Sequence, residues 1–277
     1  MTTSITSVPP VLPLWNGPAP LSHGSTPDDI PTLTLYLPEN KGRATSAIII
    51  IPGGGYEMLA IDHEGHNEGK YFQERGVAAL VLKYRLPAKG YRHPAPILDA
   101  QRAVRVVRSH AAEWNIDPAK ISIMGFSAGG HLASTLETHF DAGDSQAADA
   151  IDKLGCRPDF AVLVYAVISM KEGITHQGSK NNLLGPNPDP ALVASLSNET
   201  QVTPQTPPTL LVHAEDDEGV PIQNSRLMLA ALQKAGVPSA LHAYPRGGHG
   251  FGYYADRPVV PAGWLDKVWD WLKEQGF

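Results

Sequence analysis

Residues 125–129 read Gly125-Phe126-Ser127-Ala128-Gly129. Before them stands an apolar run, Ile121-Ser122-Ile123-Met124; after them come small and apolar residues from Ala128 to Thr138. The first has the make-up of a short strand and the second that of a helix, so the pentapeptide must turn the chain from one into the other. Glycines flank the serine because bulkier side chains would clash where the backbone folds back. This is the G-x-S-x-G pattern of a sharp strand-to-helix turn, which pushes a serine out of a sheet. Small-residue turns are common, and it is the strand before and the helix after that give the pentapeptide its weight.

The rest of the chain continues the alternation. Thr32–Leu37 alternates polar and apolar residues, as a half-buried edge strand would, and Ala47–Ile51 is a continuous apolar run, as a strand covered on both faces would be. A helix is expected over about Glu68–Arg75, closed by Gly76, then a strand over Val77–Tyr84 and a helix over Ala95–Ala112, where Ile97, Ala100, Val104 and Val107 recur at helical spacing. Beyond the pentapeptide come an acidic loop (Asp141–Asp152), a strand (Phe160–Tyr165) and a long Pro-, Asn- and Ser-rich stretch (Ser169–Pro208) with one short helix expected near Ala191. Strands at Thr209–His213 and Ala240–Tyr244 follow, with helices over about Ile222–Lys234 and Gly263–Gln275. Such alternation predicts an α/β fold with a mostly parallel central sheet and helices on both faces. Without a repeat or a low-complexity linker, the simplest division is an irregular leader, residues 1–28, and a single domain, residues 29–277.

Composition excludes more than it assigns. At 277 residues with 42% hydrophobic content, the chain can bury a full core. The net charge of −6 and the lack of a Lys/Arg cluster argue against nucleic-acid binding. No apolar run approaches the roughly 20 residues of a membrane helix. The single cysteine, Cys156, allows no internal disulfide. Met1–Pro20 does not read as a secretory signal as it stands. The expectation is a cytoplasmic protein, or a secreted one from which a signal has been removed; oligomeric state is open.

A serine hydroxyl is a weak nucleophile and needs a base within hydrogen-bond reach, itself held by a third group. In open α/β sheets such groups gather beyond the C-terminal ends of the strands. Two segments answer. After Thr209–His213 comes Glu215-Asp216-Asp217-Glu218-Gly219-Val220-Pro221, and after Ala240–Tyr244 comes Gly247-Gly248-His249-Gly250-Phe251. The chain order Ser127, Asp217, His249 is that of α/β-hydrolases. His249 is expected as the base and Asp217 as the group fixing its tautomer. Asp216 and Glu215 are rivals, and Asp217 is preferred because Asp-x-x-Val-Pro leads straight into the next helix. Negative charge developing on a substrate oxygen needs N–H donors. Pro52-Gly53-Gly54-Gly55, after the Ile51 strand, stands where the HGGG motif of lipases and esterases would, with proline in place of histidine. The amides of Gly54, Gly55 and Ala128 are the expected oxyanion hole.

Other features carry less. Asp62-His63-Glu64-Gly65-His66 is not H-E-x-x-H and lacks a third ligand at useful spacing, so no metal is expected. His63 or Glu64 is instead expected to buttress the glycine loop or start the helix. His213 is expected as a packed support, His131 and His139 as structural, and Asp99 with Arg102 as an ion pair.

Taken together, these residues resemble the branch of α/β-hydrolases that holds acetyl xylan esterases and bifunctional feruloyl and acetyl xylan esterases. The resemblance covers about Leu33–Phe251. It is carried by Pro52-Gly53-Gly54-Gly55-Tyr56, Asp62-His63-Glu64-Gly65, Lys83-Tyr84-Arg85-Leu86, Asp99-Ala100-Gln101-Arg102-Ala103 and Gly125-Phe126-Ser127-Ala128-Gly129-Gly130-His131-Leu132. Arg157-Pro158-Asp159, Thr206-Pro207-Pro208 and Gly247-Gly248-His249-Gly250-Phe251 complete it. It implies an α/β-hydrolase fold, a serine triad on Ser127, Asp217 and His249, no cofactor, and short acyl esters of plant polysaccharides as substrates, hence carbohydrate degradation. The expected partner is a small-molecule or oligosaccharide ester. Two alternatives differ in class. A serine peptidase of the prolyl oligopeptidase type would usually carry a β-propeller, for which the chain has no repeats. A non-catalytic binding protein on this fold would usually lack a triad member. The absence of a long amphipathic segment within Ser169–Pro208 argues against a true lipase.

Overall fold

The computed structural model describes residues 8–39, 42–256, 258 and 260–277. Eight strands form one sheet: β1 (Val11–Pro13), β2 (Thr32–Tyr36), β3 (Thr45–Ile51), β4 (Ala78–Lys83), β5 (Ile116–Phe126), β6 (Phe160–Val164), β7 (Thr209–Ala214) and β8 (Ser239–Tyr244). Their spatial order is β1-β2-β4-β3-β5-β6-β7-β8. The β1–β2 and β2–β4 pairs are antiparallel and all others parallel. Among the described residues seven α-helices accompany them: α1 (Asn67–Glu74), α2 (Ala95–Ser109), α3 (Ser127–Thr138), α4 (Gln177–Leu184), α5 (Pro190–Ser195), α6 (Gln223–Lys234) and α7 (Trp264–Glu274). This is the α/β-hydrolase architecture, with a mostly parallel sheet covered on both faces.

The alternation of side chains along β3 divides the core. Ala47, Ile49 and Ile51 face a layer built with Ala100, Val104, Leu132, Leu136, Met228 and Leu232, from α2, α3 and α6. Ile48 and Ile50 face the opposite layer, with Tyr71, Phe72, Trp264, Val268 and Leu272, from α1 and α7. A central parallel strand must be apolar on both faces, which is why Ala47–Ile51 lacks the polar–apolar rhythm of an exposed strand.

Four sequence expectations change. β2 is an inner strand, because β1 pairs with it through Val11–Thr34, Leu12–Leu33 and Pro13–Thr32. The leader is therefore not irregular throughout: besides β1 it buries Leu14 and Ala19. Residues 1–7 lie outside the described residues. The Pro- and Ser-rich stretch holds two helices, α4 and α5, where one was expected. Asp99 and Arg102 do not pair with each other. Asp99 is bound by Arg85, and Arg102 by Asp149 and Asp152. Among the described residues, no helix is long and apolar enough to cross a membrane.

Candidate active site

Strand β5 ends at Phe126 and helix α3 begins at the next residue. Ser127 makes that corner at φ +49°, a left-handed conformation costly for a residue with a Cβ. Gly129 is needed for a different reason. A Cβ there would lie 2.3 Å from the carbonyl oxygens of both Ile51 and Pro52. Only glycine lets the start of α3 settle against the end of β3.

The structure brings the three predicted side chains together from three strand ends. Ser127 Oγ is 2.8 Å from His249 Nε2, and His249 Nδ1 is 2.8 Å from Asp217 Oδ2. With Nδ1–H donating to the carboxylate, Nε2 is left as an acceptor for the serine proton. Asp217 is held in turn. Its Oδ1 accepts the N–H groups of Gly219 (2.9 Å) and Val220 (2.8 Å). His213 Nε2 stands 3.2 Å from Oδ2 and 2.9 Å from the Val220 carbonyl, while its Nδ1 meets Ser225 Oγ at 2.7 Å. His213 is thus the support expected of it. Burial alone would push the Asp217 carboxyl up. Hydrogen bonds from His213, His249 and the Val220 N–H outweigh it and hold the group well below the usual carboxylate range. The rivals have other partners: Asp216 accepts the N–H groups of Gly247 and Gly248, and Glu215 binds Arg226.

The glycine loop folds back on itself, with Gly54 O accepting the N–H groups of Glu57 and Met58. The N–H groups of Gly54 and Gly55 donate to no acceptor among the described residues. Ala128 is in the first turn of α3, where N–H groups have no partner within the helix. The site therefore offers a nucleophile-and-base pair beside uncommitted backbone donors, an arrangement suited to acyl transfer.

Sequence reasoning missed two neighbours. Tyr165 follows β6 at φ +35° and packs edge-on against His249, centroids 5.1 Å apart. His176 caps α4 by accepting the Ser179 N–H at 3.2 Å, and its Cε1 lies 4.0 Å from where a Cβ on Gly55 would be. Burial, then the nearness of His249, lowers the His176 pKa. Asn182 ties the same helix to the glycine loop through the Gly55 carbonyl at 2.8 Å. No capping signal of the Ser/Thr/Asp kind announces α4, because its cap is a histidine. The other weighed histidines stay structural: His131 is wholly buried between Tyr56 and the Leu196 carbonyl, and burial brings its pKa down to about 4.

Fold and site together define an α/β-hydrolase with a serine–histidine–aspartate cluster at the sheet's C-terminal rim. The BD-FAE family model matches residues 33–232, and the chain belongs to that family. It is 38% identical over 247 residues to the acetylxylan esterase of Xylanibacter ruminicola, covering 85% of this chain and 48% of that protein. It is 40% identical over 223 residues to endo-1,4-beta-xylanase B of Butyrivibrio fibrisolvens, covering 80% of this chain and 34% of that one. The chain thus spans half or less of the length of these two relatives. Among solved structures, an acetyl ester-xyloside bifunctional hydrolase from Caldicellulosiruptor lactoaceticus superposes with a TM-score of 0.91 at 44% identity, over 98% of this chain and 99% of that one. A thermophilic esterase from Thermogutta terrifontis, in its propionate-bound form, gives 0.77 at 26% identity, over 98% and 96%.

Proposed function

We propose that the protein is a serine carboxylic-ester hydrolase that removes acetyl or other short acyl groups from xylan or xylo-oligosaccharides through an acyl-enzyme. The observation that carries this is the continuous line of hydrogen bonds from Ser127 through His249 to Asp217, each 2.8 Å long, beside free N–H groups. Ser127 Oγ attacks the ester carbonyl as His249 Nε2 takes its proton. The carbonyl oxygen becomes an oxyanion and accepts from the N–H groups of Gly54, Gly55 and Ala128. Collapse breaks the bond to the alcohol oxygen, which leaves with the proton from His249, and the acyl group stays on Ser127. Water then attacks that acyl group with His249 again as base, releasing the acid and restoring the serine. Asp217 keeps Nδ1–H pointed inward and stabilises the imidazolium. The acyl and sugar preference draws its support from the relatives, one of which is named an acetylxylan esterase and another an acetyl ester-xyloside bifunctional hydrolase.

The test is an ester panel of acetyl, butyryl, feruloyl and long-chain aryl esters, run beside acetylated xylan, acetylated xylo-oligosaccharides and a proline anilide. Short aryl esters and the xylan-derived acetates should turn over, and the anilide should not. Ser127→Ala should lose activity by roughly 10⁶-fold, as serine removal does in a comparable triad. An S127A variant as fast as wild type would overturn the assignment.

A further inference from the structure

Behind the glycine loop lies a carboxylate with no part in the chemistry just described. Glu64 is 3% exposed and sits in the wide helical turn Asp62–His66, where its own φ of −127° departs from helical geometry. Its Oε2 accepts the Gly53 N–H at 2.8 Å and its Oε1 accepts the Tyr165 hydroxyl at 2.8 Å. The Tyr165 oxygen in turn accepts the Gly252 N–H at 3.1 Å. Donation runs one way, from Gly252 to Tyr165 to Glu64, and meets the Gly53 N–H at the same carboxylate. One side chain thereby joins the loop before Gly54 to the loop three residues past His249.

The surroundings leave little slack. A Cβ on Gly53 would lie 2.7 Å from Glu64 Oε2 and 2.9 Å from Ser127 Cβ, so its backbone is fitted between the carboxylate and the serine. Tyr165 keeps a positive φ, which a bulky residue holds only where its neighbours over-determine it. Desolvating a carboxylate is unfavourable, and burial pushes the Glu64 pKa up against the pull of Tyr165 and Gly53. An apolar residue would suit the position better if packing were all it served.

We propose that Glu64 is a positioning residue that fixes the spacing between the oxyanion donors and His249, clamping the two loops through Gly53 on one side and Tyr165 with Gly252 on the other. The proposal rests on the ester-hydrolase reading above. The spacing matters when donors and base must serve one tetrahedral carbon together, which is in the transition state; substrate binding needs it less.

The test uses the full chain with 4-nitrophenyl acetate and follows kcat, KM and the rate of Ser127 labelling by a fluorophosphonate. Glu64→Gln keeps an acceptor for Gly53 but turns an amide toward the Tyr165 hydroxyl. Tyr165→Phe keeps the ring and removes the link. Each should lower kcat by roughly 10- to 100-fold, the scale of a small misplacement of reacting groups. KM should stay within about twofold, and labelling should slow in step with kcat. Because the two residues act as one link, the double variant should be no slower than the slower single variant. Wild-type kcat in both single variants, losses that multiply in the double variant, or a loss carried by KM would each overturn the clamp. Should E64Q fail to fold, Y165F decides alone. A wild-type protein inert toward every ester would sink the underlying reading, whereas an active wild type with indifferent variants sinks only the clamp.

Discussion

Among the described residues, one buried cluster of charge lies behind Ser127 and another beneath the N-terminal segment. In the second, the Arg85 and Asp99 side chains are both fully buried. Asp99 accepts from Arg85 Nε, Nη2 and the backbone N–H, and Arg85 Nη1 donates to the Pro20 carbonyl. Arg102 donates to the Leu14 carbonyl, Asp149 and Asp152. Both guanidinium groups lie over Trp15, at 5.8 and 5.5 Å from its ring. These charges meet groups of the same chain, and their effect is to pin β1 and the acidic loop to the body. At the other cluster the side chain of His249 is 30% exposed and the N–H groups of Gly54 and Gly55 are uncommitted. Burial and pairing alone therefore do not mark a functional site. A charged network that ends in unfilled donors at an open surface does.

One side-chain substitution in each cluster separates the two. Asp217→Asn keeps an acceptor for the Gly219 and Val220 N–H groups but no longer fixes Nδ1–H on His249. It should lower kcat by about 10⁴-fold with the fold intact, as the equivalent change does in a serine protease triad. Steady-state kinetics with circular dichroism checks both halves, and a loss under tenfold would remove Asp217 from the relay. Arg85→Met should do the opposite. Breaking a buried pair strands Asp99 and costs about 3–5 kcal/mol, while kcat per folded molecule should not change. Replacing both partners, as in R85M/D99L, should recover much of that loss in urea unfolding. If R85M instead keeps its stability and loses turnover, the two clusters are not different in kind.

The same contrast explains what the sequence could reveal. Ser127, His249 and Asp217 were legible because each follows an apolar strand and sits in a short string of glycine, acidic or proline residues with its own pattern. The inner strands were legible for the same reason: β3 and β4 owe their composition to burial on both faces, which any reader of hydrophobicity can see. β1 was not, because three residues ending in proline carry no period and gain their place from pairing with β2. Helix α4, with the sequence Gln-Gly-Ser-Lys-Asn-Asn-Leu-Leu, offers only Leu183 and Leu184 to the core, too few for a helical period, and is held besides by the His176 cap and the Asn182 contact with Gly55. The Arg85–Asp99 pair was missed because partners 14 residues apart on different elements leave no spacing rule to follow. Glu64 was weighed as a buttress of the glycine loop, but its second partner, Tyr165, lies 101 residues away and only the fold introduces them.

Glu137 is a buried acid with neither a cation nor an open site beside it among the described residues. It lies on α3, wholly buried; Oε2 accepts the Thr209 hydroxyl at 2.9 Å and Oε1 has no partner among the described residues. Burial lifts its pKa to about 8, with only Thr209 pulling the other way. The folded value is thus above the unfolded one, about 4.3. The unfolded chain gives up this proton first as pH rises, so the contribution to stability is full below about pH 4 and is lost as pH climbs through about 8. Glu137→Gln cannot ionise. It keeps an acceptor for Thr209 but adds an unpartnered N–H₂, so near pH 5 it should be no more stable than wild type. Between pH 5 and 8 the difference should move steadily in its favour and then level off, as read by urea unfolding across that range. Turnover should hold, since Glu137 is ten residues along the helix from Ser127, about 15 Å at helical rise. A stability difference that ignores pH would mean that this carboxyl is ionised in the folded protein, and that the core tolerates a lone charge which Arg85 and Asp99 otherwise show it neutralises by pairing.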